Sequence, residues 1–299
     1  MNNINLICPS CKKGIEASRG DRVKCINCKE SFPIVRETPI LLSDSNLLFT
    51  KASSLDLTSS GFGSGVSAVI SKVLPVITLN TPQDKALNKF ILSLATGSRC
   101  LIIGAGDDQT IKQKIVLKDG SAVVTDVIHS EIVDYVCDVT SLPFEDSQFD
   151  AVFIIAVLEH VVEPVQAVSE IARVLKEDAL VFSAIPFMQQ VHMGCFDFQR
   201  YTLLGHRWLF SSFEMIHLEP TSGAGSALLW SITSFLQSFS NSKTVSLVSK
   251  AFVRIFFFWI KYFDIFQKNT PDFALGSYFV GRNKKKRVVN HRQLIELYK

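Results

Sequence analysis

The chain has 299 residues, of which 47 % are apolar and 20 % charged, with a formal net charge of +3. That length suits one α/β domain plus a small module. The composition excludes general disorder, and the charge is too small to argue for nucleic acid by itself. Seven cysteines, an odd number with four in two close pairs, point to a metal site in a reducing compartment, not to a disulfide framework. Residues 1–11 carry no basic region followed by an apolar run, and no stretch gives 18 clean apolar residues. A signal peptide and a membrane-spanning helix are therefore not expected, and the reading is cytoplasmic.

The first element is a pair of knuckles, Cys8-Pro9-Ser10-Cys11 and Cys25-Ile26-Asn27-Cys28, spaced C-x2-C-x13-C-x2-C. Each pair aims two sulfurs at one point, and four thiolates complete a tetrahedral shell that suits zinc. Such a short module buries little core, so the metal supplies folding energy, and a closed shell makes the metal structural. A zinc ribbon over residues 1–45 is expected, with residues 32–35 and 39–42 as strand and docking segments. Seven Lys/Arg against five Asp/Glu give it a mixed surface, not a basic one.

Residues 46–80 read as a linker, rich in Ser and Gly around 50–66. Thr81-Pro82-Gln83-Asp84 then starts a helix to about Leu94, with Thr81 as cap, Pro82 in the first turn and Gly97 as the stop. From residue 99 short apolar runs alternate with helical segments. Strands are expected at 100–103, 122–125, 135–137, 149–155 and 179–185. Between the last two, Val161, Val165, Val168, Ile171, Ala172 and Leu175 recur at helical spacing. This pattern predicts a parallel sheet covered by helices on both faces. Ligands of such sheets sit at the carboxyl ends of the strands. There lie Gly104-Ala105-Gly106 after the first strand, Asp126 at the end of the second and Asp138 at the end of the third. Each carboxylate alone also fits a solvated loop.

The run from Asp138 through Leu142-Pro143-Phe144 to Phe149-Asp150, with Val157-Leu158-Glu159-His160-Val161 and the Glu170–Lys176 segment, closely resembles class I S-adenosylmethionine-dependent methyltransferases of the ubiquinone- and biotin-pathway type. The resemblance covers roughly residues 85–220 and implies a Rossmann-like seven-strand sheet. It also implies bound S-adenosylmethionine, with Gly104 and Gly106 at the methionine part, Asp126 at the ribose, Asp138 with Val139 at the adenine, and Val157 in the same pocket. Two positions depart from the family pattern: Ile102 replaces an acid, and Asp108 replaces a third glycine. A similar loosened loop, together with Pro186-Phe187, His192 and residues 197–202, resembles a subgroup linked to bacterial surface-glycan and lipid biosynthesis. The N-terminal module resembles the zinc-ribbon subunits and extensions that accompany several methyltransferases.

Methyl transfer depends mostly on positioning, and a base is needed only if the acceptor loses a proton. His160, His192 and Asp197 are the catalytic candidates, and Arg200 with Tyr201 the candidates for holding the acceptor. Blander roles stand beside these: His160 bracing its loop, His192 and Asp197 pairing within a lid, and Arg200 pairing with a neighbouring acid. The absence of a (D/N)PP(Y/F) motif and the setting of Cys195 set aside exocyclic amino and cytosine-ring methylation. O- or C-methylation of a small-molecule, glycan or lipid-linked acceptor remains, with RNA methylation and a catalytically silent partner protein as alternatives.

Strands six and seven are expected at 213–220 and 277–281, which assigns residues 81–222 and 270–283 to the core. The insertion at 223–269 reads as helices 227–238 and 247–266. On the second, Lys250, Arg254, Lys261 and Lys268 form a stripe against Phe252, Phe256, Phe258, Trp259, Tyr262, Phe263 and Phe266. A helix of that kind fits peripheral membrane contact through 247–268, or burial against the sheet or the mate of a homodimer. Residues 284–299 form a basic tail.

Overall fold

The computed structural model describes residues 4–17, 21–56, 81–106, 108–267, 270–284, 286 and 288–298. Most of the expected linker, including its Ser/Gly-rich part beyond residue 56, lies outside the described residues, as do Lys268, Lys285 and Arg287. The side chain of Thr81, the expected cap, is likewise not described.

Seven strands form the main sheet: β5 (Arg99–Ile103), β6 (Ser121–Asp126), β7 (Tyr135–Val136), β8 (Phe149–Ile155), β9 (Leu175–Pro186), β10 (Phe213–Ser222) and β11 (Gly276–Asn283). Their spatial order is β10-β11-β9-β8-β5-β6-β7. The pairs among β5 to β9 are parallel, while β11 runs antiparallel to both β9 and β10. The sheet is thus mixed, with one reversed strand, and not wholly parallel. The Ile155 end of β8 and the Ile103 end of β5 point the same way, so their following loops share one rim.

The apolar runs explain the layering. Along β5, alternate residues face opposite sides, and Cys100, Leu101, Ile102 and Ile103 are all buried. Leu101 and Ile103 join Val152, Ile154 and Val181 on one face, under Ala167, Val168, Ile171 and Val174 of helix α3 (Pro164–Val174). Cys100 and Ile102 join Ala151, Phe153 and Phe182 on the other. There Phe90, Ile91 and Leu94 of the α1 region (Thr81–Ser93) and Ile115 of α2 (Thr110–Val116) cover them. Two members of the expected helical pattern fall elsewhere: Val165 is 72 % exposed, and Leu175 begins β9.

The N-terminal module is a four-stranded antiparallel sheet, β1 (Ile15–Ala17), β2 (Arg22–Cys25), β3 (Ser31–Val35) and β4 (Thr38–Pro39), in that order. It is not an independent bead. Ile40 pairs in parallel with Val136, and the Leu41 amide donates to the Val136 carbonyl at 2.7 Å. Cys8, Cys25, Phe32 and Leu41 are buried in the same cluster as Leu142, Phe144 and Phe149. Lys12 pairs with Glu170 of α3 at 2.8 Å. Residues 46–54, expected as linker, also lie on the main domain, for the His129 amide donates to the Ser54 carbonyl at 3.0 Å.

The insertion departs most from expectation. After helix α4 (Leu203–Leu209) and β10, the insertion consists of α5 (Ala224–Gln237) and α6 (Lys243–Phe256), followed by 3-10 turns over Phe258–Phe266. The expected single helix 247–266 therefore breaks at Phe257, which has φ −120° and ψ 0°. Its basic stripe is not formed, because Lys261 is buried while Lys250 is exposed. The 3-10 segment turns back to cap α5. Asp264 accepts from the amides of Gly223, Gly225 and Ser226 at 3.1, 2.6 and 3.2 Å, and from Ser226 Oγ at 2.7 Å. Those are the free donors of a helix start, answered by a negative charge. Gly225 permits the approach, since a Cβ there would lie 2.6 Å from the Ile260 carbonyl oxygen. Asp264→Ala leaves these amides unpaired, and thermal unfolding should show a loss of about 1–3 kcal/mol.

Candidate cofactor and acceptor site

The three strand ends come together as the sequence implies. Gly104 and Gly106, with φ of +70° and +54°, turn the chain away from β5. A Cβ on Gly104 would lie 2.2 Å from Val157 Cγ2, so that glycine makes room for the loop after β8. Gly106 has no atom within 4 Å of such a Cβ, which leaves its surface open. Asp126 crosses to this loop: its carboxylate accepts from the Gly106 amide at 3.1 Å and from the Ile128 amide at 3.0 Å. Asp138 follows β7 and caps a turn at Val139–Ser141, accepting from the Thr140 amide at 2.8 Å and from Thr140 Oγ1 at 2.7 Å. Val139 is buried beside it.

Both departures from the family pattern have local reasons. Ile102 is buried in the core face shared with Phe153, where an acid would be uncompensated. Asp108 accepts from the Thr110 amide at 2.8 Å and opens α2.

Sequence reasoning missed Asn46. Its Nδ2 donates to Asp138 Oδ2 at 2.7 Å, while its Oδ1 accepts from the amides of Leu48 and Phe49. Phe49 in turn stacks on Phe196, centroids 5.6 Å apart. The chain leaving the cysteine module is therefore a strap that touches Asp138 and the loop opposite. No spacing rule marks such a residue, because its function exists only once the module has docked.

The opposite wall is a lid, residues 187–202, fastened to the turn Leu158–His160. The amides of Phe198 and Gln199 donate to the Glu159 carbonyl. His160 Nδ1 lies 2.8 Å from the Phe196 carbonyl oxygen, and burial lowers its pKa. Asp197 has no exposed side-chain surface and accepts from the His192 amide at 2.9 Å. The Arg200 guanidinium holds the Asp197 carboxyl down to about 2. All five Arg200 donors are taken within the lid: two by Asp197 and one each by the carbonyls of Gln189, Gln190 and Gln199. Tyr201 donates to Gln199 Oε1, and the Gln199 amide group returns to the carbonyls of Val161 and Val162. His160, His192, Asp197 and Arg200 are thus brought together, with Arg200 spent on internal bonds. Glu159 belongs to this group and was passed over, although it stands between Leu158 and His160. Its carboxyl is fully buried, and burial pushes its pKa up to about 7.

At the cysteine module, Cys8 Sγ lies 3.6 Å from Cys28 Sγ, and Cys11 Sγ 3.4 Å from Cys25 Sγ. A tetrahedral shell with metal–sulfur bonds of about 2.3 Å separates its sulfurs by about 3.8 Å, so the four fit a zinc-sized ion with small shifts. Burial pushes the Cys8 thiol up to about 12, while the Lys13 backbone amide, followed by further hydrogen bonds, holds Cys11 down to about 6.

Residues 112–183 match a family model described as a methyltransferase domain. The matched stretch runs from α2 to β9. No curated protein matches the chain. Among solved structures, the chain is similar to Haemonchus contortus phosphoethanolamine N-methyltransferase 2 in complex with S-adenosyl-L-methionine. The identity is 17 %, coverage is 68 % of this chain and 52 % of that one, and the TM-score is 0.44. It is also similar to a complex of the Haloferax volcanii Trm112 methyltransferase activator with a methyltransferase. There the identity is 15 %, coverage 68 % and 92 %, and the TM-score 0.43.

Asn46→Ala removes one donor from Asp138. Calorimetric titration should show S-adenosylmethionine binding weakened about three- to tenfold, in line with the net worth of one supporting hydrogen bond, about 0.5–1.5 kcal/mol, with the melting temperature little changed.

Proposed function

We propose that the protein is an S-adenosylmethionine-dependent methyltransferase that acts on an oxygen or carbon of a small-molecule, glycan or lipid-linked acceptor held under the lid. The observation that carries this reading is the convergence of the Gly104–Gly106 loop, Asp126 and Asp138 on one rim, facing the lid of residues 187–202. In this reading the loop glycines receive the methionine part of the methyl donor. Asp126 takes the ribose hydroxyls, Asp138 with Val139 takes the adenine, and Val157 lines the pocket. The sulfonium supplies an activated methyl group, and the chain's own contribution is to fix donor and acceptor in line and keep water away. His160 and His192 are placed to take a proton from the acceptor, with Asp197 orienting His192. Arg200 and Tyr201 shape the acceptor side by holding the lid, since their polar groups are already engaged. Cys8, Cys11, Cys25 and Cys28 hold a structural zinc that keeps the strap in place.

Titration of the zinc-loaded protein with S-adenosylmethionine and S-adenosylhomocysteine tests the reading. Binding is expected, and Asp126→Ala should weaken it by about 10- to 100-fold, equivalent to about 1.5–3 kcal/mol for bonds to a charged group. A well-folded protein that binds neither ligand would remove the basis of the proposal.

A lipid-linked acceptor would bring the insertion to a cytoplasmic membrane surface. Among the described residues no helix is long and apolar enough to cross a membrane. Phe239, Phe252, Phe256, Trp259, Phe263 and Phe266 are nonetheless exposed, with Lys243 and Lys250 exposed on the adjoining helix. Aromatic rings beside cations suit the headgroup layer. The protein should float with anionic phosphatidylglycerol vesicles at low salt, and Trp259→Glu with Phe266→Glu should leave it in the bottom fraction.

A further inference from the structure

The acceptor side contains a group of ligands that methyl transfer does not by itself explain. The Glu159 carboxylate is fully buried, and neither of its oxygens has a hydrogen-bond partner. A carboxylate stripped of water and given no donor is costly, and such groups are normally paired or bound to a metal. One of its oxygens lies 3.7 Å from His160 Nε2. The His192 ring packs edge-on against His160, centroids 5.0 Å apart. One ligand atom each from Glu159, His160 and His192 lie within 4.8 Å of one another.

The imidazoles are also oriented from behind. His160 Nδ1 faces the Phe196 carbonyl oxygen at 2.8 Å, which fixes the Nδ1–H tautomer and leaves Nε2 as a lone pair. His192 Nδ1 faces the Gln190 carbonyl oxygen at 3.3 Å and the Asp197 carboxylate at 3.4 Å. Arg200 Nη2, 3.5 Å from that nitrogen, has Gln190 and Asp197 as nearer partners. Carbonyl and carboxylate partners behind histidines are the arrangement that supports metal ligands. The nearby charged or titratable groups are Glu159, Asp197 and Arg200, and Asp197 is already paired with Arg200, which leaves Glu159 without a cationic partner of its own.

We propose that Glu159, His160 and His192 form a second cation site, separate from the four cysteines, for a divalent ion of borderline softness such as zinc or cobalt. Two nitrogens and a carboxylate oxygen suit such ions at about 2.0–2.2 Å, which sets the ligand atoms about 3.4 Å apart, so closing the site from the observed spread takes side-chain shifts of about 1 Å. Three protein ligands leave a position open for an oxygen of the acceptor. A hydroxyl bound there gives up its proton to solvent water more readily, so the two imidazoles act on the acceptor through the ion and replace the direct proton transfer considered above. The proposal adds to the functional reading above. Its test does not use the methyl donor, so the two can fail separately.

The experiment is titration of the full chain, zinc-loaded at its cysteines, with cobalt(II), followed by visible absorption. One further equivalent should bind with ligand-field bands and without thiolate-to-cobalt charge transfer. Glu159→Gln, which keeps the shape of the side chain, and His192→Ala should each weaken that binding more than tenfold while leaving the zinc content unchanged. A folded wild-type chain that takes up no further cobalt overturns the proposal. So does cobalt uptake that survives both substitutions, or a spectrum dominated by thiolate charge transfer.

Discussion

The arrangement of the site rests on one backbone hydrogen bond and the pairing around it, the Leu41 amide donating to the Val136 carbonyl. Strand β7 is only two residues long and stands at the edge of the sheet. An edge strand exposes unpaired backbone groups that need covering. Here the cover comes from the end of the cysteine module, so Ile40 sits beside Val136 and the chain leaves toward Asp138. Asn46 then reaches the Asp138 carboxylate because the register has already been set five residues earlier. The cysteine module has the same role at larger scale. Two of its sulfurs, those of Cys8 and Cys25, lie in the core cluster that includes Phe144 and Phe149. Loss of the module's fold would open that core and release the strap together.

The two walls of the site are held by different means. On the donor side, backbone turns and carboxylates of the strand ends are fixed by the sheet. On the acceptor side, the lid has little apolar anchoring: Val191 and Phe198 are exposed. It is held by charge-assisted bonds from Arg200 and by the carbonyls that receive His160 and Gln199. Bonds of that kind lose strength when water enters, so the lid can release as a unit, whereas the donor side cannot move without disturbing β5 and β6. In the functional reading proposed above, that division leaves the donor pocket fixed and lets the acceptor side open.

Much of the fold was legible from residue order. Strand β8 was placed at its observed bounds, and β5, β6, β7, β10 and β11 within one or two residues, because continuous apolar runs between turn residues leave few other choices. Strand β9 begins four residues early, since Leu175 pairs with Phe149 across a register shift that no periodicity announces. The reversed direction of β11 was not legible either, because direction depends on where the insertion returns the chain. The insertion itself misled: its aromatic spacing reads as one helix, but Asp264 gains more by capping α5 than by continuing a helical turn. At the site, residue types and strand ends singled out Asp126, Asp138, His160 and His192 as candidates, and the structure packs the two histidine rings against each other. Asn46 depends on a contact 92 residues away and Glu159 on burial under the folded lid, which spacing cannot encode, whereas Arg200 is engaged locally, by partners no more than 11 residues off.

The altered glycine loop follows from the same logic. With Ile102 committed to the core and Asp108 committed to the start of α2, neither position can serve the loop between them. Its shape is set from outside, by Asp126 accepting from the Gly106 amide. In this arrangement the carboxylate read as the ribose contact is also the loop's own fastening. A ligand that claims one of its oxygens competes with that fastening, and donor binding and loop geometry are then coupled through a single side chain. The third glycine of the usual pattern would set the loop shape locally. Its absence makes the β6 carboxylate responsible for both the shape of the pocket and its occupancy.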